Sequence, residues 1–169
     1  MIRKGFGQVE PNHLSAQRTG QIYAQLPANE DIKILENGEF VKYDYANNEV
    51  NKSGEGEWML VFNEVKLYDG YRETYKDFAQ KVSDSSDKKI YPRVFKTNVG
   101  DIYTTNCLEK SAASRDAETE MTDLEVGDKL GINEKGFLEK DASSDIQFQV
   151  AKVYTMADGQ EAVKVQRIA

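Results

Sequence analysis

The strongest constraint on this chain is its rhythm. Short runs of alternating apolar and polar residues are each cut off by Gly, Asn, Asp or Pro. Alternation sends successive side chains to opposite faces of an extended backbone, so one face of each run can be buried. The pattern is clearest at the C-terminus. Phe148–Tyr154 alternates, Ala157-Asp158-Gly159-Gln160 reads as a tight turn, and Ala162–Ile168 alternates again. Asp-Gly tolerates the positive φ of a two-residue turn, so this segment predicts a hairpin. Asn37-Gly38, set between Ile32–Leu35 and Phe40–Tyr45, predicts another by the same chemistry.

The remaining runs fill in a β-rich body. Ile22, Ala24 and Leu26 alternate until Pro27. Trp58–Val65 opens with five contiguous apolar residues, which suits a strand buried on both faces at the centre of the core. Pro92 marks Ile90–Phe95 as an edge strand or a strand start. Asn98–Gly100 is a turn and Asp101–Leu108 a further strand. Leu124–Ile132 is a strand interrupted at Gly127, Asn133–Gly136 a turn, and Phe137-Leu138 a short strand. ENGEFVKYD (Glu36–Asp44) faintly echoes NEKGFLEKD (Asn133–Asp141), and independent hairpins with the same turn chemistry account for that as well as duplication does. Helical spacing occurs once, at Tyr71, Tyr75, Phe78 and Val82. It predicts a short helix near 71–82, with a strand pair as the alternative. The fold class is therefore mainly β: an antiparallel β-sandwich or small barrel with at most one or two short helices and an extended N-terminal arm.

Four segments follow from composition. Residues 1–20 carry Gly5, Gly7, Pro11 and Gly20 and no sustained period, and read as the arm. Residues 21–108 form a β-rich core lobe. Residues 109–123 lack large apolar side chains apart from Met121, and read as an acidic loop. Residues 124–169 form a C-terminal hairpin lobe that closes one body with 21–108. A chain of 169 residues is long enough for such a core. Its longest apolar run, Trp58–Phe62, is far too short for a membrane-spanning helix, and no apolar stretch after Arg3 and Lys4 suggests a secretory leader.

Charge argues against nucleic acid and membrane as partners. The net charge is −7, so the whole surface repels phosphate backbones and anionic lipid. The sign is uneven: residues 1–20 carry +2 and residues 109–128 carry −5.

Catalytic chemistry finds little to work with. The single histidine, His13, sits in the arm, away from any nucleophile. The single cysteine, Cys107, excludes an internal disulfide and reads as a small, partly buried side chain. Glu55 and Glu57 could share one face of an extended segment, as a glycosidase pair would, but a solvated strand start explains them better. Asp77, Asp84 and Asp87 lack the spacing of a calcium loop. Asp116, Glu118, Glu120 and Asp123 could hold a cation only loosely. Lys4-Gly5-Phe6-Gly7 is not a phosphate-binding loop. No catalytic, cofactor or metal residue is therefore assigned. Nine tyrosines favour a protein that makes protein contacts.

The C-terminal third, LEVGDKLGINEKGFLEKD followed by FQVAKVYTMADGQEAVKVQRI, resembles the small β-rich decoration (cement) proteins of tailed-phage heads. Gly127, Leu130, Gly136, Phe137 and Asp141 match their Gly-x-x-Leu … Gly-x-Phe/Tyr-x-x-x-Asp segment, and Asp158-Gly159 matches the turn before their last strand. The resemblance implies a non-enzymatic structural protein on the exterior of the virion, made in the host cytoplasm. It would bind the major capsid protein lattice and reinforce contacts between capsomers, alone or as a homotrimer or homodimer. On this reading residues 1–20 order on the lattice, with Arg3, Lys4, Phe6 and Arg18 as contacts. Two other readings stay open. One is a tail or baseplate component or carbohydrate-binding adhesin using Trp58 or Tyr71. The other is a carboxylate-based hydrolase.

Overall fold

The computed structural model describes residues 2–3, 6–13, 26–63, 79–85, 87–108, 119–120, 124–156 and 159–169. In chain order the strands are β1 (Ile2–Arg3), β2 (Val9–His13), β3 (Ile34–Glu36), β4 (Phe40–Asp44), β5 (Glu49–Asn51), β6 (Met59–Val61) and β7 (Ala79–Lys81). They continue with β8 (Val94–Phe95), β9 (Ile102–Thr105), β10 (Thr119–Glu120), β11 (Lys129–Ile132), β12 (Leu138–Lys140), β13 (Gln147–Thr155) and β14 (Glu161–Arg167). One sheet has six strands in the order β12-β11-β13-β14-β9-β2, and another has four in the order β5-β4-β6-β8. Two small ribbons, β3-β7 and β1-β10, complete the set among the described residues, and every named pair is antiparallel. Among the described residues no sheet closes on itself, so the architecture is sandwich-like rather than a barrel.

Alternation in the four-stranded sheet explains the layering. Phe40, Leu60 and Phe95 point to one side and join Tyr103, Leu130, Phe148, Val163 and Val165 of the six-stranded sheet. Val41, Tyr43, Met59, Val61 and Val94 point to the other and join Leu26, Leu35, Val50 and Ile90. The four-stranded sheet is thus buried on both faces, as the contiguous apolar run around β6 predicts. Phe148 sits at the centre of the first core, fully buried, with ring centroids 5.7 Å from Phe40 and 5.7 Å from Tyr103. Burying such a ring contributes about 2–3 kcal/mol.

The C-terminal hairpin forms as the sequence predicts, with Gly159 at φ +81 between β13 and β14. Strand β13 carries a bulge between Val150 and Lys152. Strict alternation from Phe148 and Val150 would turn Lys152 inward. The extra residue shifts the phase, so Val153 packs on the core and Lys152 stays exposed.

The Asn37-Gly38 hairpin does not form. Gly38 does adopt φ +100, but β3 pairs with β7 while β4 pairs with β5 and β6. The turn moves the chain from one sheet to another. Gly38 N donates to Val61 O at 2.9 Å and Val61 N donates to Glu39 O at 2.7 Å, so the turn closes against β6 rather than against its own flanks.

The helix expected near 71–82 falls mostly on residues outside those described. At its end, Ala79–Lys81 is strand and Val82–Asp84 a single 3-10 turn. Pro92 precedes β8, an edge strand of the four-stranded sheet, as read from the sequence. Ile22 and Ala24, most of 109–123 and the turn residues Ala157 and Asp158 lie outside the described residues.

Candidate functional site

The N-terminal arm is extended, and part of it belongs to the body. Residues 9–13 form β2, the strand next to β9 at one edge of the six-stranded sheet, with Val9 opposite Thr105 and Glu10 opposite Thr104. Pro11 lies within this strand, and proline is tolerated at an edge because it has no N–H to donate. His13 lies on β2 in register with Ile102. Further out, Ile2 and Arg3 pair with Glu120 and Thr119, so the basic N-terminus meets the acidic segment.

Of the four residues expected to contact a partner, Arg3 lies on that ribbon. Phe6 is half-buried, with the Lys81 Nζ 4.7 Å from its ring centroid. Its ring therefore already packs under a cation of its own chain. Lys4 and Arg18 lie outside the described residues.

Between Phe6 and Val9 the arm crosses a buried polar seam that the sequence does not announce. Gly7 N donates to Glu36 Oε2 at 2.7 Å, and Gln8 N donates to Asn106 Oδ1 at 2.8 Å. Asn106 is held in place by its own Nδ2 donating to Gln160 Oε1 at 3.1 Å. Glu36, Asn106 and Cys107 are fully buried. Cys107, expected to be partly buried, is enclosed: a Cβ at Gly7 would stand 2.9 Å from its Sγ, and one at Gly38 would stand 2.5 Å from its Cβ. Two glycines from separate segments thus close over one thiol because no other residue fits there.

The seam continues through the turn. Glu36 N donates to Glu39 Oε1 at 3.1 Å, and Lys52 Nζ donates to Glu39 Oε2 at 2.6 Å and to Phe40 O at 3.1 Å. Burial pushes the Glu39 carboxyl above its ordinary pKa, and the Lys52 ammonium only partly offsets that. Asn37 and Asn63 bond to each other through Asn37 Nδ2 to Asn63 O at 3.1 Å and Asn63 N to Asn37 Oδ1 at 2.7 Å. Phe40 N donates to Gly136 O at 2.7 Å, which ties the two sheets together at this end. The signal available in the sequence was the density of Asn and Glu around Gly38, which reads equally as exposed turn chemistry.

Of the candidate hydrolase carboxylates, Glu57 has a structural duty. Glu57 bonds Arg167 Nη1 at 3.1 Å and Lys96 Nζ at 2.8 Å, and the same guanidinium donates to Thr97 O. Glu55 is exposed. Asp87 accepts from Ser85 Oγ, Lys89 N and Tyr91 OH, and the Ser85 hydroxyl foremost holds its carboxyl below the usual range. Among the described residues no group of three His, Cys, Asp or Glu side chains is placed to hold a metal ion. Trp58 packs against the first core with Lys42 Nζ 4.7 Å over its ring, so that face is not open for a sugar to stack on. Tyr71 lies outside the described residues.

Two concavities carry mixed charge. A cleft of about 260 Å³ brings Lys33, Lys88 and Lys89 together with Glu30 and Asp87. An open groove of about 530 Å³ brings Lys33, Lys52 and Lys135 together with Asp31 and Glu134. Neither focuses charge of one sign on a point, as a site for a small ion would. On the outer face of the six-stranded sheet, Tyr154 OH hydrogen-bonds Thr104 Oγ1 at 2.6 Å and Glu10 Oε2 at 3.0 Å. Lys152 and Lys164 lie 5.4 and 5.9 Å from its ring centroid. This network pins β2 across β9 from outside.

The geometry therefore offers an edge strand clamped into a sandwich, with Glu36, Glu39, Glu57, Trp58 and Tyr154 engaged in holding the fold. Comparison with known protein families, with curated proteins and with solved structures finds no match for the chain.

Proposed function

We propose that this protein is a non-enzymatic virion component that binds the outer surface of an expanded phage capsid and reinforces contacts between capsomers. The observation that carries the reading is the backbone geometry of the segment bearing the resemblance. Gly127, Gly136 and Gly159 adopt φ of +100, +82 and +81, and Asp141 adopts +58. These positions punctuate one antiparallel run, β12-β11-β13-β14, so the resembling residues mark the turns of a single structural unit. Leu130 and Phe148 from that unit lie in the first core, and Phe137 packs beneath Lys52, whose Nζ is 5.6 Å from its ring. The engagement of Glu39 and Glu57 in ion pairs supports a structural role over acid–base catalysis.

A cement role needs no chemistry. A protein that binds the assembled lattice and not its separated subunits stabilises the lattice by mass action at every site. Many copies make weak contacts effective. Fractionation of purified virions into heads and tails tests the assignment. The protein should follow the heads, and its recovery with the tails or its absence from virions would overturn the reading.

A further inference from the structure

We infer that the outer face of the six-stranded sheet, centred on Lys152, Lys164 and Tyr154, docks an acidic segment of a partner protein. The inference rests on the fold alone and stands apart from the capsid reading.

The register builds the face. Lys152 lies directly opposite Lys164, Lys164 opposite Thr104, and Thr104 opposite Glu10, so one row crosses β13, β14, β9 and β2. The neighbouring row runs through Lys129, Gln149, Gln166 and Ile102. Directly opposed residues share a face, as do residues two apart on one strand, so Lys129 stands on the same side as the lysine pair. Val163 and Val165 alternate with Lys164 and Gln166 and fill the first core, so this side is turned away from it. Lys129 and Lys152 are exposed and Lys164 partly so. Among the described residues none of the three makes an ion pair. The acids of this face stand at its margins and are engaged. Glu10 on β2 accepts from the Tyr154 hydroxyl, and Glu139 on β12 accepts from Asn133 Nδ2 at 3.0 Å.

The central pair is built at a cost. The bulge that brings Val153 to the core also aims Lys152 outward, opposite Lys164. Like charges directly opposed across a ladder repel, and no carboxylate of the described residues relieves this pair. Both ammonium groups lie near one fixed ring. The Tyr154 hydroxyl is held by Thr104 and Glu10, and Lys164 and Lys152 reach to 5.9 and 5.4 Å from its centroid. Cations already gathered on a rigid strand pair lose little freedom when an anion arrives. A carboxylate set between them turns one repulsion into two attractions.

The chemistry of the face selects the partner. A nucleic acid is best gripped by arginine forks and by rings open to stacking bases. Here the cations are lysines, and the Tyr154 ring is taken by two of them. An extended polyanion would also run on to the rest of a chain whose net charge is −7. A short run of Asp or Glu on a protein meets the three lysines and ends there, and the acidic remainder of the chain disfavours other orientations.

Titration of the isotope-labelled full chain with an oligoglutamate peptide of about eight residues, followed by backbone amide shifts, tests the inference. An oligothymidylate of equal charge serves as the competing polyanion. The amides of Lys152, Tyr154, Lys164 and Gln166 should move most, and affinity should fall as salt rises. Lys152→Gln combined with Lys164→Gln should weaken binding by about tenfold, the sum of two exposed charge contacts. Its thermal midpoint should not fall, because the change relieves a like-charge pair. Lys33→Gln combined with Lys88→Gln, in the mixed-charge cleft, should leave the affinity unchanged. Shifts spread evenly over the exposed lysines, or equal weakening in the two double variants, would overturn the inference. So would a Lys152→Gln, Lys164→Gln protein that binds like the parent. Tighter binding of oligothymidylate at the same amides would assign the face to nucleic acid and overturn the partner named here. A lowered thermal midpoint in the Lys152→Gln, Lys164→Gln protein would assign the two lysines to holding the sheet instead.

Discussion

Removing the hydroxyl of Tyr103 should stabilise this protein. The side chain is fully buried at the meeting of the two sheets, and its OH has no hydrogen-bond partner among the described residues. Burial drives the phenol pKa well above its ordinary value, as expected for a group cut off from water. A buried hydroxyl without a partner costs about 1–3 kcal/mol relative to solvation in the unfolded chain. Tyr103→Phe removes that cost and keeps the edge-on contact with Phe148, at 5.7 Å and 84°. It leaves a gap the size of one oxygen, which takes back a fraction of the gain. The net expectation is a stabilisation of about 1 kcal/mol. With a urea m-value of about 2 kcal/mol/M, the midpoint should rise by about 0.5 M with the slope unchanged. The thermal midpoint should rise by about 2–4 °C. Equilibrium urea unfolding of the two proteins side by side is the assay. A midpoint lowered by the same amount would refute the reasoning, because the hydroxyl would then have a partner in the folded protein.

Three further outcomes follow from the same structure. Gly38→Ala should cost more than about 2 kcal/mol, because its Cβ would meet Cys107 Cβ at 2.5 Å on top of a φ of +100. Gly159→Ala, with a similar φ but nothing within 4 Å, should cost only the backbone strain of about 1 kcal/mol. Equal losses in thermal unfolding would contradict the packing at the turn. The raised Glu39 pKa means the folded state binds that proton more tightly than the unfolded state does. Its charged form therefore lowers stability at pH values above the folded pKa, and this cost fades as pH falls toward the ordinary value of 4.5. Glu39→Gln should remove that component from a stability–pH series, and identical profiles in the two proteins would rule it out. Arg167→Met should cost about 1–3 kcal/mol, because the guanidinium is largely buried and holds Glu57 and Thr97 to the last strand. A loss that vanishes in 1 M NaCl would instead mean the pair acts as a screened surface contact.

What the sequence disclosed is what short-range physics determines. Alternation and Asp-Gly located the β13–β14 hairpin, and the contiguous run before Asn63 identified β6 as a strand with two buried faces. Pro92 placed β8 at an edge. These follow from the residues themselves. The failures are matters of partnership. Asn37-Gly38 makes a turn of the expected kind, but whether its flanking strands pair depends on β6, β7 and the buried carboxylates of Glu36 and Glu39, which are remote in sequence or look exposed. The only local trace of the bulge at Val150–Lys152 is Lys152 at a position strict alternation would turn inward, and the small Ala151 beside it obscures that break. Residues 9–13 read as part of a loose arm because Pro11 and scarce apolar residues give no period. Their place in the sheet comes from the ladder with β9 and from the preceding Gly7 and Gln8, which bond Glu36 and Asn106 about 30 and 100 residues away. Burial of Cys107 under Gly7 and Gly38 was equally invisible, since it needs two distant glycines to converge.

The central claim is a lattice-binding role. Its most direct test is co-sedimentation of the purified chain with expanded capsids that lack it, with the bound ratio and the capsid melting temperature both measured. The account predicts saturable binding at a fixed ratio to the major capsid protein, a raised melting temperature, and no binding to unassembled subunits. Failure to sediment with capsids at micromolar concentration would contradict it.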